Sequence, residues 1–402
     1  MITDLPNITR AEDQTPLSPL APVDLLNLDR RELTEQLTAD LRLEAFRTRQ
    51  LMQWIYRRRI RDFTQMSDIA KPVRETLGSR YLISRPEKSI VQESKDGTRK
   101  YLFTLADGSQ VETVLIRQPT RWTLCVSSQV GCAIRCSFCR TGLMGLKRNL
   151  ETAEILGQVL AVQDEVQLLT AEGVFTGGPQ PFQNIVFMGM GEPLHNLANV
   201  SRAVRILNDE YGLSISGRKI TVSTSGLVPA IKKFSESGAQ ANLAVSLNAT
   251  TDEVRTEVIP INKKYPLALL LETLREYPLK KGRRITIEYV MLHGVNDTDE
   301  DLRRLPKLLR GIPVKVNLIP YNVNAQLGYK TPPQRHVLRW QEFLLGSGLN
   351  STIRWSKGID IDAACGQLAT KVEQGVRGNL RTNGNGDDEG RGQETAESLS
   401  KT

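Results

Sequence analysis

The stretch CVSSQVGCAIRCSFC, Cys125 to Cys139, holds four of the five cysteines in the chain. Within it, Cys132, Cys136 and Cys139 are spaced C-x3-C-x2-C. Thiolates are the usual ligands of iron–sulfur clusters and of structural zinc. A closed zinc site needs a fourth ligand, and the chain has only three histidines, His195, His293 and His336. Cys125 is a further candidate, on a predicted strand seven residues before Cys132. Three thiolates alone suit a four-iron cluster with one iron open to a cofactor or substrate. A zinc-stabilised RNA-binding protein without catalysis is the alternative of another class.

Outward from this loop the chain alternates. Strands are predicted at 123–128, 184–188, 219–223, 242–247, 285–291 and 314–319. Each is followed by a helical stretch. The clearest is 152–169, where Ile155, Leu156, Val159, Leu160, Val166 and Leu169 share a face. The others centre on 198–208, 228–237, 267–277, 299–310 and 333–346. Strand–helix alternation predicts an α/β body with a parallel sheet, as an open or partial barrel or a doubly wound sheet.

The unusual polar residues fall just after strand ends: the cysteines after the first strand, GMGEP (189–193) after the second, STSG (223–226) after the third, SLNAT (246–250) after the fourth and PYN (320–322) after the sixth. Active sites of parallel α/β folds are built at the carboxyl ends of strands, so one large site is expected there. In GMGEP, Gly189 and Gly191 permit positive φ and close approach of a ligand. Glu192 can accept hydrogen bonds from a cationic amino group. Each motif alone also fits an ordinary strand-to-loop turn; together they fit a pocket for a nucleoside and an amino acid.

The flanks differ from the body. Residues 1–23 are rich in Pro, Asp and Thr and are expected to be disordered, as is the Gly-, Asn- and acid-rich tail 376–402. Residues 24–85 read as a helical domain. Arg42 to Arg61 holds seven arginines against Glu44, or +7 − 1 = +6, with Leu43, Phe46, Leu51, Trp54 and Ile55 at roughly helical spacing. With a net charge of +8, this cluster points to nucleic-acid phosphates. In 86–121, KYLFTL, a turn at Asp107-Gly108 and QVETVLI predict a β-hairpin extension. The main body spans 122–375. No secretory signal or membrane span is visible, and an odd cysteine count unlike a disulfide framework suits a reducing cytoplasm.

C-x3-C-x2-C with Phe138 before the last cysteine is the radical S-adenosyl-L-methionine (SAM) signature. With VETVLI, GLKRNL, FMGMGEPL, STSGLVP, LAVSLNATTDEVR, IEYVMLHGVND, VNLIPYN and DIDAACGQLA in order, the chain resembles the RlmN/Cfr family of radical SAM RNA methyltransferases. The resemblance implies a partial (β/α)6 TIM-like barrel with a small N-terminal helical domain. It implies that Cys132, Cys136 and Cys139 hold a [4Fe-4S] cluster, and that Gly191, Glu192, Ser223, Ser246, Leu247, Asn248 and Asn322 bind SAM. Cys365 would carry the methyl group, Cys125 would resolve the adduct by forming a disulfide with it, and Glu112 would be the general acid/base. The implied products are C2-methyladenosine in 23S rRNA, at the peptidyl transferase centre, and in tRNA, 3′ of the anticodon. A Cfr-like C8 methylation is the close alternative. The implied partners are those RNAs and an electron donor of the flavodoxin/flavodoxin reductase type, with no membrane, and the protein is expected to be a monomer. Lys357 and Ile359 depart from the family's usual arginine and acid, and Asn248 stands where histidine is common.

Overall fold

The computed structural model describes residues 22–118, 121–173, 182, 184–324 and 326–369. Of the expectations of disorder for residues 1–23 and for the tail 376–402, all but residues 22 and 23 fall outside the described residues, and Val23 is instead held in a paired strand. Chain order begins with β1 (Val23–Asp24), α1 (Arg30–Leu41), α2 (Ala45–Met52), α3 (Lys71–Arg80) and β2 (Tyr81–Leu82), which pairs in parallel with β1. Asp29 starts α1 as a capping box: its carboxylate accepts from the Arg31 and Glu32 N–H groups, and Glu32 reaches back to the Asp29 N–H. The same two acids hold Arg205 at 2.8 Å and Arg202 at 2.7 Å on the body of the protein. The cap of the first helix is therefore also a clamp between the helical segment and the body.

The basic cluster forms α2 and a π-helical turn, Gln53–Arg57. Leu51, Trp54 and Ile55 are buried as expected, and Leu43 packs against the core. Phe46 is not part of the stripe: it is exposed, with the Arg47 guanidinium 4.5 Å from its ring centre. Nor are the arginines all free. Arg59 pairs with Asp164 at 2.8 Å, Arg61 reaches the same carboxylate, Arg57 donates to the Glu210 carbonyl, and Arg58 stacks on Trp54 at 3.9 Å.

The predicted hairpin is present as β4 (Arg99–Thr104) and β5 (Gln110–Gln118), with Asp107 accepting from the Ser109 N–H in the turn. A third strand, β3 (Glu87–Glu93), precedes it and pairs antiparallel with β4. Its Glu/Lys/Ser/Gln face is exposed, so the sequence offers little apolar alternation to announce it. The extension is not a separate unit: β5 pairs antiparallel with β6 (Arg121–Cys125) and continues the main sheet.

After β6 come β7 (Gln129–Gly131), α4 (Arg140–Leu143) and β8 (Leu146–Asn149), with β7 and β8 forming a small hairpin. Then follow α5 (Thr152–Ala171), β9 (Asn184–Phe187), α6 (Leu197–Asn208), β10 (Ile220–Thr224), α7 (Val228–Glu236), β11 (Asn242–Ser246), α8 (Asp252–Val258), α9 (Leu267–Glu276), β12 (Ile285–Met291), α10 (Asp299–Leu308), β13 (Val314–Pro320), α11 (Gln334–Gly346) and β14 (Ser351–Ile353). The six expected strands lie in parallel in the order β6-β9-β10-β11-β12-β13, and β14 adds in parallel beyond them. A doubly wound sheet requires a reversal of strand order. Here each strand adds on the same side of its predecessor, and the outer strands β3 and β14 do not pair, which gives an open barrel.

Side chains alternate across these strands. Leu124, Ile185, Val222, Ile287, Val316 and Leu318 are buried in the apolar core. Their neighbours Thr123, Asn184, Val186, Thr221, Thr286, Glu288, Lys315 and Asn317 line the barrel interior. The face of α5 read from the sequence is buried, and its Gln158 fixes the start of the site: Oε1 accepts from the Thr113 hydroxyl at 2.7 Å and the Ser127 N–H at 2.9 Å, while Nε2 donates to the Ser127 carbonyl at 3.1 Å.

Candidate active site

Two cavities meet inside the barrel. The upper one, about 160 Å³, opens at the carboxyl ends of the strands and is lined by Cys132, Cys136, Cys139, Gly191, Glu192, Ser223, Ser246, Asn322 and Cys365. The lower one, about 550 Å³, fills the barrel and is lined by Cys125 and Cys365 together with basic and amide side chains. Met188, Glu288, Ile319, Arg354 and Cys365 line both. The five sulfurs do not share one chamber: four line the upper cavity, and Cys125 joins Cys365 in the lower.

The cysteine loop is fixed by backbone bonds. The Cys132 N–H donates to Gly145 at 2.9 Å, the Ser137 N–H to Val258 at 3.1 Å and the Arg140 N–H to Gly366 at 2.8 Å. Burial pushes the Cys132 thiol up to about 12 and the Cys136 and Cys139 thiols upward as well, and the sulfurs repel one another as thiolates. Such a set becomes thiolate when a strongly held cation compensates it. Among the described residues no three of His, Cys, Asp or Glu gather tightly enough for one metal ion. Three thiols lining one cavity are a donor set for a multinuclear cluster with one metal left open to the cavity.

Next to the loop, Glu192 is buried. Its Oε2 accepts from the Ser225 N–H at 2.7 Å and the Ser225 hydroxyl at 2.8 Å, and its Oε1 from the Leu194 N–H at 3.0 Å. Burial nonetheless raises its carboxyl above the usual range. An ammonium group in the cavity would favour the charged form. Gly191 has φ 103°, and a Cβ there would lie 2.5 Å from Gln129 Cβ. Gly189 does not share the expected positive φ; it is required because a Cβ would lie 2.7 Å from the Val126 carbonyl.

Ser223, Ser246 and Asn322 line the cavity as expected, and Ser225 joins them. Leu247 and Asn248 are fully buried and are not among the lining residues. Asn248 has φ 54°, and its Oδ1 accepts from the Val290 N–H at 2.7 Å. These two residues shape the strand end through the backbone. Arg255, the last residue of LAVSLNATTDEVR but given no role there, holds that backbone: it donates to the carbonyls of Ser225 (2.7 Å), Ser246 (3.2 Å) and Leu247 (3.0 Å) and to Asn262 Oδ1 (2.9 Å).

Cys365 arrives on the segment after β14. The Asn322 amide donates to its carbonyl at 3.4 Å, the Thr141 hydroxyl to the Leu368 carbonyl at 2.7 Å, and the Ala369 N–H to Glu112 at 2.8 Å. Cys125 is buried, and burial pushes its thiol up to about 12, with Cys365 adding to the rise. Arg354 lines both cavities and donates to the Met188 sulfur at 3.2 Å; Cys365 first, then Glu288 and Cys125, hold its guanidinium above its ordinary range in spite of burial. Glu112 is buried beside the segment, 3.3 Å from Lys100, and lines neither cavity. Burial raises its carboxyl, against Lys100 and the Ala369 N–H. Arg354, Glu288 and Asn317 carry a signal the motifs overlook. A parallel strand covered on both faces reads as a continuous apolar run, whereas TIEY and VKVNL alternate polar with apolar residues.

Comparison with known proteins agrees with this geometry. Residues 126–305 match the model of the Radical SAM superfamily, and the open barrel with its three-thiol loop is the body of a radical SAM enzyme. Residues 23–83 match the model of the ribosomal RNA large subunit methyltransferase N-terminal domain. The chain is 50% identical to the dual-specificity RNA methyltransferase RlmN of Geobacter sulfurreducens over 330 residues, covering 82% of this chain and 88% of that one. It is 47% identical to the protein of that name from Desulfotalea psychrophila, covering 87% and 95%. The crystal structure of a radical SAM methyltransferase from Sphaerobacter thermophilus superposes with a TM-score of 0.78 at 42% identity, covering 86% of this chain and 99% of that one. The chain belongs to the RlmN family. This membership replaces the zinc-stabilised, non-catalytic alternative with an enzyme.

Proposed function

We propose that this SAM-dependent RNA methyltransferase methylates C2 of an adenosine in 23S rRNA and in tRNA, with Cys365 as methyl carrier and Cys125 as its resolving thiol. The observation that carries the reading is the position of Cys365, which lines both the cavity of the three-cysteine loop and the cavity inside the barrel. Cys132, Cys136 and Cys139 would hold a [4Fe-4S] cluster, and Gly191, Glu192, Ser223, Ser246 and Asn322 would hold SAM, with Leu247 and Asn248 shaping that pocket. Bound there, the two supply a methyl group and, with one electron, a carbon radical able to take a hydrogen atom from a methyl group.

The protein residues divide the remaining work. Cys365 accepts the methyl group on sulfur as a nucleophile and later joins it to the RNA base. Arg354, which lines both cavities with Cys365, partly offsets the rise that burial imposes on the Cys125 thiol. A base takes the proton from C2, a role we assign to Glu112. The Ala369 N–H and Lys100 enclose that carboxyl, so transfer requires the segment around Cys365 to shift. Cys125 then attacks the Cys365 sulfur as a thiolate: an S–S bond forms, the sulfur–carbon bond breaks with its electron pair passing to the methylene carbon, that carbon takes a proton to become the product methyl group, and a two-electron reductant of the flavodoxin type returns the disulfide to thiols. An unstacked base is needed to enter the barrel, which favours RNA loops.

The test is anaerobic turnover with RNA, followed by mass spectrometry of the Cys365 peptide and nucleoside analysis. A methylated Cys365 and 2-methyladenosine are expected. A fully loaded cluster with unmodified Cys365 and unmodified RNA overturns the reading, and 8-methyladenosine would assign the Cfr-like alternative. Cys125→Ala should accumulate a covalent protein–RNA adduct; free product at the normal rate removes Cys125 from its role.

A further inference from the structure

Among the described residues, Glu288 is the one acid among the charged side chains lining the lower cavity, and it also lines the upper one. It sits in the middle of β12, 4% exposed. Its Oε1 accepts from the Asn317 amide at 3.1 Å, and the Thr352 hydroxyl in turn donates to Asn317 Oδ1 at 2.5 Å. Its Oε2 is buried with no partner in the protein. A buried oxygen without a partner is costly to keep, of the order of 1–3 kcal/mol, unless a ligand completes it. Arg354 is close enough to feel the carboxylate, but its guanidinium donates to the Met188 sulfur at 3.2 Å and not to Glu288 Oε2.

We propose that Glu288 Oε2 reads the exocyclic amino group of the target base, making Glu288 a specificity-determining residue for adenine. This rests on the reading of adenosine as the base methylated. The passage between the cavities, where Cys365 and Glu288 both stand, is where that base must lie to reach Cys365. Asn317 and Thr352 fix the carboxyl rotamer, so one oxygen is left aimed at the base. With Oε1 taken by Asn317, Oε2 accepts in the carboxylate form, which Arg354, the Asn317 amide and Lys315 favour against burial, and a 6-amino N–H supplies the missing donor. A 6-oxo group would bring acceptor against acceptor. A site built around a hydrogen bond discriminates strongly against an analogue lacking it, because its own polar group is then left unpaired.

The experiment is a double-mutant cycle with full-length tRNA carrying either adenosine or purine riboside, which lacks the amino group, at the target position. Single-turnover methylation and RNA affinity are both measured. Wild-type enzyme is expected to lose roughly ten- to a hundredfold on purine riboside. Glu288→Leu should lose a similar factor on adenosine and show no further loss on purine riboside. Glu288→Gln, which keeps an acceptor oxygen and a similar shape, should remain within about tenfold of wild type on adenosine and still prefer it. Methylation of Cys365 without RNA is followed by mass spectrometry in each variant, and the losses on the two RNAs are compared for enzyme already methylated at Cys365. Equal losses for Glu288→Leu on the two RNAs overturn the proposal, as does a wild-type enzyme indifferent to the amino group. A wild-type enzyme that methylates neither RNA instead sinks the functional reading beneath it.

Discussion

The Ala369 N–H donates to Glu112 Oε2 at 2.8 Å, tying the segment that carries Cys365 to the antiparallel extension of the sheet. Glu112 also holds Lys100, whose ammonium lies 3.5 Å from the Asp362 carbonyl on the same segment. One buried carboxyl therefore fixes both flanks of the methyl carrier.

That carboxyl gives a pH dependence. Burial raises Glu112 above its ordinary 4.5, so the folded state favours the protonated form more than the unfolded chain does. Its contribution to stability is fully present below the unfolded value and is lost as pH rises through the folded one. Glu112→Gln should therefore show a shallower fall in unfolding free energy above about pH 4.5 than wild type does. Denaturant titrations across pH 4 to 8 check this; parallel curves would mean that Lys100 and the Ala369 N–H fully offset the burial.

Arg354 should control the first chemical stage. A cation facing a sulfur favours its thiolate. Arg354→Met is expected to slow methylation of Cys365 roughly tenfold, with Arg354→Lys recovering part of the loss, because Lys keeps the charge without the planar fork. The rate of modification, followed by mass spectrometry of the Cys365 peptide, is the readout. An unchanged rate in Arg354→Met would leave the guanidinium a structural part.

Arg255 should behave as a positioning residue for the cofactor pocket. Its guanidinium satisfies carbonyls at Ser225, Ser246 and Leu247, which follow or end two neighbouring strands. Arg255→Met leaves them unpaired in the interior and should lower stability by about 3 kcal/mol. Arg255→Lys keeps the charge but not the fan of donors. It should fold, weaken SAM binding about tenfold in equilibrium titration, and leave RNA affinity unaltered.

The basic cluster should divide into anchors and RNA contacts. Arg57 and Arg59 are tied to the body, whereas Arg42 is exposed and has no acidic partner among the ion pairs of the described residues. Arg42→Ala should weaken RNA binding and flatten its salt dependence by about one ion contact. Arg59→Ala should chiefly lower the melting temperature. Binding titrations at several salt concentrations separate the two; identical slopes for wild type and Arg42→Ala would remove Arg42 from the RNA interface.

Much of this architecture was legible in the sequence because it depends on local pattern. The strand–helix alternation, the face of α5, the Asp107–Gly108 turn and the C-x3-C-x2-C loop are all short-range features. Charged, exposed β3 and the three-residue β14 have too little apolar periodicity to be read in this way. The basic cluster shows the same limit: its charge is plain in the sequence, but Asp164 and Glu210, which occupy part of it, lie more than a hundred residues away.

The sequence by itself determined the ligand loop, the positions of the six strands along the chain and the clustering of polar residues at their ends, since each is written in residues close along the chain. Only the tertiary structure decided that the sheet opens as a partial barrel, that Cys125 and Cys365 share a chamber beneath the other sulfurs, and that Arg354 and Glu288 stand at its junction. Strand curvature and the return of the segment after β14 bring together residues as distant as Cys125 and Cys365, 240 positions apart along the chain. Packing sets that proximity: polar side chains alternate inward on the strands while their apolar neighbours bury outward, and no local propensity encodes which of them meet.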